Sequence, residues 1–190
     1  TVTEQAKQPE TQKHLDDEKE EYKALRKKTY PISEKFNVEV KRASVISDKL
    51  SKDYKKLLKD LKRGRALDLS VVDSGVHYMV ESVVRNPAAM MWIEQLKGLD
   101  EYTYSRALGT SVWCATFGRH LGLEKQTINQ LAFGGLLLDI GKARLPVSLL
   151  KKKGELTPEE LSIMHKHVDL GLKILTSRIN KVKNENLDAN

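Results

Sequence analysis

Apolar side chains recur at steps of three and four residues between Ser33 and Gly64, and this spacing constrains the fold more than any other feature. They are Phe36, Val40, Ala43, Ile46 or Ser47, Leu50, Tyr54, Leu57 and Leu61. Such spacing places them on one face of an α-helix, with lysine, arginine, glutamate and aspartate on the other. We predict one long amphipathic helix, capped by Ser33 and ended by Gly64. Because its apolar face is long and narrow, a partner helix from this chain or a second copy must cover it.

The same periodicity predicts further helices along the rest of the chain. They are a helix capped by Ser70 and broken at residues 86–87, a helix that begins at Pro87 and is ended by Gly98, a helix from Tyr102 to His120, a helix from Gln126 or Thr127 to Ile140, and a helix opened by Thr157. No stretch alternates with a period of two, so the predicted fold class is all-α. We expect Trp92, Trp113 and Phe117, which fall at helical spacing, to fill the core.

Charge and cysteine content limit the possible partners and compartment. The chain has 33 lysines and arginines against 26 aspartates and glutamates, a net charge of +7. The lysines alternate with acids as on a solvated helix face, and no recognition motif accompanies them, so nucleic-acid binding is not expected. Cys114 is the single cysteine, which excludes an intramolecular disulfide and a cysteine zinc cluster. Without a long apolar run or a signal-peptide core, we expect a cytoplasmic protein with no membrane span.

One carboxylate, Asp139, interrupts a long apolar run, and residues 139–142 read Asp-Ile-Gly-Lys. An acid buried in an apolar helix costs several kcal/mol unless a metal, a cation or hydrogen-bond donors satisfy it. One interpretation is a site for a metal and a phosphate, with His167 of the next helix as a further ligand. The other is a structural ion pair between Asp139 and Lys142 or Arg144, with His167 half-buried at the surface. Spacing alone leaves both open, because a metal site needs three or more protein ligands.

Several blocks in one order resemble the first half of an HD-GYP domain, the cyclic-di-GMP phosphodiesterase branch of the HD superfamily. The similarity covers residues 86–175. Its blocks are Asn-Pro-Ala at 86–88, Lys-Gly-Leu-Asp-Glu-Tyr-Thr-Tyr at 97–104, Gly-Arg-His-Leu-Gly-Leu at 118–123, Gly-Gly-Leu-Leu-Leu-Asp-Ile-Gly-Lys at 134–142, Gly-Glu-Leu-Thr at 154–157 and Met-His-Lys-His at 164–167. The resemblance implies an all-helical fold with two or three iron or manganese ions, at which a metal-bound hydroxide hydrolyses cyclic di-GMP.

The family's ligands carry over only in part. Asp139, Lys142 and His167 match the family pattern, whereas the family's first histidine falls on Arg106 and the histidine of its His-Asp pair falls on Leu138. Leucine cannot ligate a metal, and arginine brings a fixed positive charge to the place of a cation. We therefore predict an ion pair between Arg106 and Asp139 and expect no cofactor in this chain. In members of the family, the resemblance implies that the remaining ligands and the Gly-Tyr-Pro motif follow the part that corresponds to residues 86–190.

The sequence thus predicts an all-α protein in which a long N-terminal helical segment precedes an incomplete HD-domain helical bundle. Its parts would be a flexible or weakly helical segment at 1–30, a helical linker or stalk at 31–85, and a degenerate half-domain at 86–190. Both chain ends look cut from something longer. We expect a cyclic-di-GMP signalling protein without phosphodiesterase activity in this chain. It would bind a protein partner, a second copy through its long helices, or cyclic di-GMP itself. The alternative is a metal-dependent phosphodiesterase completed by a longer natural chain.

Overall fold

The computed structural model describes residues 28–65, 67–97 and 102–176, and the predicted weak helix before Lys28 lies outside them. Every regular element within these ranges is helical, which confirms the all-α fold class. The elements are α1 Phe36–Lys62, α2 Ser70–Arg85, α3 Pro87–Lys97, α4 Tyr102–His120, α5 Lys125–Leu137, a 3-10 helix Ile140–Arg144, α6 Val147–Leu150, α7 Pro158–His165 and α8 at residues 167–176. No helix in this part of the chain is long and apolar enough to cross a membrane.

The apolar stripe of α1 is buried against other helices of the same chain. Leu50 and Tyr54 are almost fully buried and belong to the same core cluster as Val76 of α2 and Met90 of α3. The helices approach so closely that a Cβ on Gly75 of α2 would lie 2.8 Å from the Leu50 side chain. Other helices of this chain therefore provide the predicted cover for most of the stripe, while Phe36 at its start is 43% exposed.

Two of the predicted helix caps are wrong. Lys35, not Ser33, precedes α1, and the backbone of Ser33 instead donates a hydrogen bond to the Arg85 carbonyl, 3.1 Å away. Ser70 is the first residue of α2, because the Asp68 carboxylate accepts hydrogen bonds from both its backbone N–H and its hydroxyl. An acidic side chain two residues earlier thus takes the role expected of the serine. By contrast, Gly64 follows α1 with φ of 70°, the left-handed conformation expected of a helix-ending glycine.

Helices α4 and α5 form a close antiparallel hairpin. The Ser111 hydroxyl donates to the Ala132 carbonyl at 2.7 Å, and a Cβ on Gly135 would lie 2.9 Å from the Cys114 sulfur. At the other end, a Cβ on Gly118 would lie 3.2 Å from the Ile128 side chain. This register brings the beginning of α4 alongside the end of α5.

The three aromatic residues expected in the core lie at the surface instead. Trp92, Trp113 and Phe117 are 50%, 60% and 59% exposed. The buried face of α4 carries smaller side chains, including Val112 and Ala115. A helical spacing of aromatic residues identifies a face but does not say which face packs, and the small residues allow the closer contact. Helix α5 also ends at Leu137, three residues before the predicted end at Ile140.

Candidate functional site

The end of α5 places Asp139 between two kinds of helix. Helix α5 stops at Leu137, and the 3-10 helix begins at Ile140, so Asp139 occupies the junction with φ of −103°. Its backbone carbonyl accepts the first bond of the tighter helix, from the Lys142 N–H at 3.0 Å. The Asp139 side chain is 29% exposed. It is therefore a half-buried acid at a helix junction and not the fully buried acid that the apolar run predicted.

Lys142 supplies a positive charge directly to this acid. Its Nζ lies 2.6 Å from Oδ2 of Asp139, and both side chains are about equally exposed. The 3-10 helix makes this contact possible because its tight turn puts residues three apart on the same side. One of the two alternatives left open by the spacing, the pairing of Asp139 with Lys142, is thus present.

His167 reaches the other oxygen of Asp139. Its Nε2 lies 3.4 Å from Oδ1, and its Nδ1 lies 2.7 Å from the Met164 carbonyl oxygen. Because a carbonyl only accepts, we assign the ring hydrogen to Nδ1, which leaves the Nε2 lone pair facing Asp139 when the ring is neutral. His165, two residues earlier, is exposed and takes no part in this contact.

Two glycines let the backbone of α8 cross the 3-10 helix at this point. A Cβ on Gly141 would lie 1.9 Å from the His167 carbonyl oxygen and 2.5 Å from the Gly171 nitrogen. Only a residue without a side chain fits there, because the atoms it would meet belong to the backbone and cannot turn away. The close packing of Gly141 against Gly171 sets the position of His167 relative to Asp139.

The turn before α7 is held by the predicted cap. The Thr157 hydroxyl accepts from the Glu160 N–H at 3.3 Å, and the Thr157 N–H donates to the Glu160 carboxylate at 2.8 Å, a reciprocal capping box. Lys152 also pairs with that carboxylate, and its hydrogen bond is the main reason that the pKa of Glu160 lies below its usual value. Residues close together in sequence therefore define the start of α7, the helix that precedes His167.

Arg106 and Leu138 stand where the resemblance implies histidines. Leu138 is 67% exposed and offers no donor or acceptor beside Asp139. Arg106 is exposed near the beginning of α4, the end of the hairpin that lies alongside the end of α5. Lys142 and His167 are the partners that the structure gives to the Asp139 carboxylate. The ion pair between Arg106 and Asp139 stays a prediction.

The donor set fits a metal ion only in part. A separation of 3.4 Å between Oδ1 of Asp139 and Nε2 of His167 suits two ligands that each lie about 2 Å from one ion. Lys142 already takes the second carboxylate oxygen. Among the residues that the structure describes, no group of three or more histidine, cysteine, aspartate or glutamate side chains could hold a metal. These residues do not complete a metal centre, and no reaction step is derived through one.

Among the residues that the structure describes, the fully buried carboxylate is Glu39, which the sequence patterns did not single out. Its side chain is 0% exposed, and it accepts hydrogen bonds from Arg85 at 2.7 and 2.8 Å and from the Ser82 hydroxyl at 2.7 Å. Burial alone would raise the pKa of Glu39, but the bonds from Arg85 and Ser82 hold it below its usual value. A signal was available, because Glu39 lies four residues before Ala43 and so falls on the apolar face of α1.

Comparison with protein families finds the HD domain, whose profile matches residues 84–184. Arg85, which binds Glu39, lies at the first edge of that match. The match covers the hairpin, the 3-10 helix and α8, and so includes all five candidate site residues, which are Arg106, Leu138, Asp139, Lys142 and His167.

Three curated relatives that are similar to this chain are all described as phosphodiesterases of cyclic dinucleotides. A cyclic di-GMP phosphodiesterase of Pseudomonas aeruginosa is 28% identical over 72% of this chain and 33% of its own length. A cyclic di-GMP phosphodiesterase of Thermotoga maritima is 28% identical over 44% of this chain and 22% of its own. A 3'3'-cGAMP-specific phosphodiesterase of Vibrio cholerae is 34% identical over 34% of this chain and 12% of its own. The chain thus spans a third or less of these relatives, and no solved structure matches it.

Proposed function

The chain belongs to the HD domain family, and we propose that it is a signalling member related to the cyclic di-GMP phosphodiesterases that acts by binding and not by hydrolysis. Among the described residues, no three side chains of histidine, cysteine, aspartate or glutamate come together where they could hold a metal ion. Binding would involve cyclic di-GMP or a protein partner. The family of HD phosphodiesterases is generally metal-dependent, so the state of the metal-ligand positions decides between the two activities.

The observation that carries this proposal is the chemistry of the Asp139 carboxylate and its neighbours. One oxygen faces the Lys142 ammonium, and the other faces His167, while Leu138 presents an aliphatic side chain to solvent. An ammonium in contact with a carboxylate satisfies it without a metal, because it supplies both the positive charge and the hydrogen bonds. Two donors, Asp139 and His167, fall short of the three that a metal centre requires.

In this proposal, the Arg106 guanidinium is a second cation beside Asp139, in the place where relatives would hold a metal ion. The hairpin register brings the start of α4 alongside the end of α5, and in this proposal the Arg106 guanidinium faces the same carboxylate. Together with Lys142 and Arg144, it would give this end of the hairpin a positive charge at neutral pH. Such a cluster suits the phosphates of a cyclic dinucleotide, because arginine and lysine bind phosphate oxygens directly.

The test compares the chain with a variant in which the family ligands are restored. After incubation with Mn²⁺ and desalting, we expect less than one bound ion per chain, no cyclic di-GMP hydrolysis, and measurable cyclic di-GMP binding by calorimetry. The double variant Arg106→His/Leu138→His adds two imidazoles beside Asp139 and should retain more metal. Stoichiometric metal together with hydrolysis in the unaltered chain, both lost in Asp139→Asn, would overturn the proposal.

A second candidate is a metal-dependent phosphodiesterase completed by a longer natural chain. One observation favours it: Asp139 and His167 keep a ligand-like separation of 3.4 Å with the His167 lone pair facing the acid. In that case the missing donors come from residues outside the described ranges. A longer natural protein that hydrolyses cyclic di-GMP with Mn²⁺, and loses this activity in His167→Ala, would establish it. No turnover in that longer protein would rule it out.

A further inference from the structure

The outer side of the α4–α5 hairpin carries five large apolar side chains that are exposed to water. They are between 37% and 67% exposed, and we name them the hairpin face: Trp113, Phe117 and Leu121 of α4, Leu131 of α5, and Leu138 directly after α5. The three residues of α4 follow one another at steps of four. Leu131 lies beside them, because its side chain would be 3.3 Å from a Cβ on Gly118. Leu138 keeps a helical backbone conformation and follows Leu131 by seven residues, which places it on the same side.

The hairpin face carries no charge, although 31% of the residues of the chain are charged. Residues 107–138 contain three lysine, arginine or glutamate side chains, those of Arg119, Glu124 and Lys125. They bind, respectively, a carbonyl near the end of α2, an ammonium before α1 and a carboxylate of α2. The charged side chains of the hairpin are thus paired within the protein. A surface without charges and with exposed aromatic residues is typical of the core of a protein interface.

The apolar area of the hairpin face is sufficient for an interface between two copies of this chain. From their exposed fractions, the five side chains leave roughly 500 Å² in contact with water, which is at the upper end for a patch on a monomer. A specific interface buries about 1,000 Å² or more when both partners are counted. Two copies of the face supply about this area before any polar rim is added. A second copy therefore meets the area requirement of a dimer.

The hairpin face is also complementary to itself in shape. Helix α4 presents the aromatic side chains of Trp113 and Phe117, whereas the α5 side presents only the shorter Leu131 and Leu138. A two-fold axis parallel to the helices would place α4 of each copy over α5 of the other, as in a four-helix arrangement. The high ridge of each copy then packs on the low ridge of its partner, and no charge of the face is buried.

We propose that two copies of this chain associate through the hairpin face, with α4 of each copy packed on α5 of its partner. Trp113 and Phe117 lose the most exposed surface in this dimer. The interface also reaches one edge of the candidate site, because Leu138 belongs to the face and directly precedes Asp139. A leucine at position 138, where the resemblance implies a histidine, thus enlarges the apolar surface. This proposal does not depend on the proposed function.

The first test is sedimentation equilibrium of the full chain from micromolar to near-millimolar concentration. We expect a reversible equilibrium between monomer and dimer. Phe117→Asp introduces a charge into the centre of the face and should raise the dimer Kd by more than about 30-fold, with an unchanged circular dichroism spectrum. Val45→Asp is the control, because Val45 is 68% exposed on α1, outside the face, and its substitution should leave the Kd unchanged. A monomer at every concentration, association beyond the dimer, or a dimer that survives Phe117→Asp overturns the proposal.

A second test leaves the face unaltered and reports contact between two chains. In the Cys114→Ser/Gln130→Cys variant, the single thiol lies on the exposed side of α5 and can carry a nitroxide. This labelled chain is mixed with isotope-labelled unaltered chain, and the indole N–H signals are observed by NMR. We expect strong broadening of Trp113 and clearly weaker broadening of Trp92, which is similarly exposed but contacts Phe36, with recovery after the nitroxide is reduced. Equal broadening of both signals, or of neither, contradicts association through this face.

Discussion

Glu39 and Asp139 are two carboxylates of one helical bundle whose charges are compensated in different ways. Glu39 has no exposed surface and is held by Arg85, Ser82 and Arg42. Asp139 is 29% exposed, accepts a hydrogen bond from the Lys142 ammonium, and has His167 Nε2 at 3.4 Å from its other oxygen. A buried acid needs several donors in fixed geometry, while a half-exposed acid can rely on water for part of its solvation. The Glu39 carboxylate is thus enclosed by protein donors, whereas the Asp139 carboxylate stays partly in contact with water.

The comparison of Glu39 with Asp139 also shows which acid has an arginine as its counter-charge in the structure. The sequence led us to expect an arginine as counter-charge to a buried acid at Asp139. Within the described part of the chain, the fully buried acid paired with arginine is Glu39 of α1, with Arg85 at the end of α2. That pair joins the predicted linker to the first residues of the HD domain match, because Arg85 lies within residues 84–184. Its bidentate geometry fixes the orientation of one helix relative to the other.

Removal of the buried Glu39 carboxylate should have the largest effect on stability, and it tests the difference between Glu39 and Asp139. Glu39→Ala leaves the Arg85 guanidinium and the Ser82 hydroxyl without their shared acceptor, and we expect the free energy of unfolding to fall by about 3 kcal/mol. Urea titration measures it. Glu34→Ala is the control, because its pair with Arg42 is partly exposed and is worth less than about 1 kcal/mol. Equal losses in the two variants would contradict the buried role of Glu39.

The crossing that holds His167 against Asp139 should be the next most sensitive point. Gly141→Ala places a methyl group against backbone atoms of α8, so we expect a loss of about 2 kcal/mol in urea titration, with faster amide hydrogen exchange in residues 167–176. Gly134→Ala is the matched control. Its Cβ would meet nothing within 4 Å, and alanine should stabilise the α5 helix by up to about 1 kcal/mol. A neutral Gly141→Ala would mean that the two segments do not cross this closely.

Lowering the pH should decrease the free energy of unfolding, in part through protonation of Glu39. Because its folded pKa lies below the unfolded value, its contribution is complete above the ordinary glutamate pKa of about 4.3 and is lost as the pH falls through the folded pKa. The stability difference between the unaltered chain and Glu39→Gln should therefore shrink steadily below that pH. Urea titrations of both proteins between neutral and acidic pH measure it. A difference that stays constant over this range would show that Glu39 keeps the same pKa on unfolding.

The smallest effect on stability is expected at Asp139. Because its pair with Lys142 is partly exposed, Asp139→Asn should change the free energy of unfolding by less than about 1 kcal/mol. The same variant should alter the affinity for cyclic di-GMP or Mn²⁺ if the site binds either, and calorimetry would detect this. A stability loss as large as that of Glu39→Ala would remove the distinction between the two acids.

Much of the fold was predictable because local patterns agree with the final packing. The stripe of α1, the end of α1 at Gly64 and the capping box at Thr157 depend on residues close together in sequence. The predicted burial of Trp113 and Phe117 was wrong because exposure depends on which neighbouring helix packs on α4. Small residues at Ser111 and Gly135 brought α5 to the other face.

The candidate site was predictable as a set of residues but not as a geometry. Asp139, Lys142 and His167 stood out because one acid interrupts an apolar run and because the motif resembles a known family. Their distances follow from the change to a 3-10 helix after Leu138 and from the glycine crossing at Gly141. No local sequence pattern predicts the change of helix type or the crossing at Gly141. Glu39 was overlooked because a glutamate in a charged helix is ordinarily solvated.

The sequence by itself determined that this protein is helical, where most helices begin and end, and that it resembles the HD family. These properties depend on residue spacing, turn residues and motif order, which are local. Only the tertiary structure decided which acid is buried, which aromatic residues are exposed, and which side chains meet Asp139. Those outcomes depend on helices that are distant in sequence and compete for the same surfaces. Small residues allow the closest packing, and this packing prevails because it buries the most area without strain.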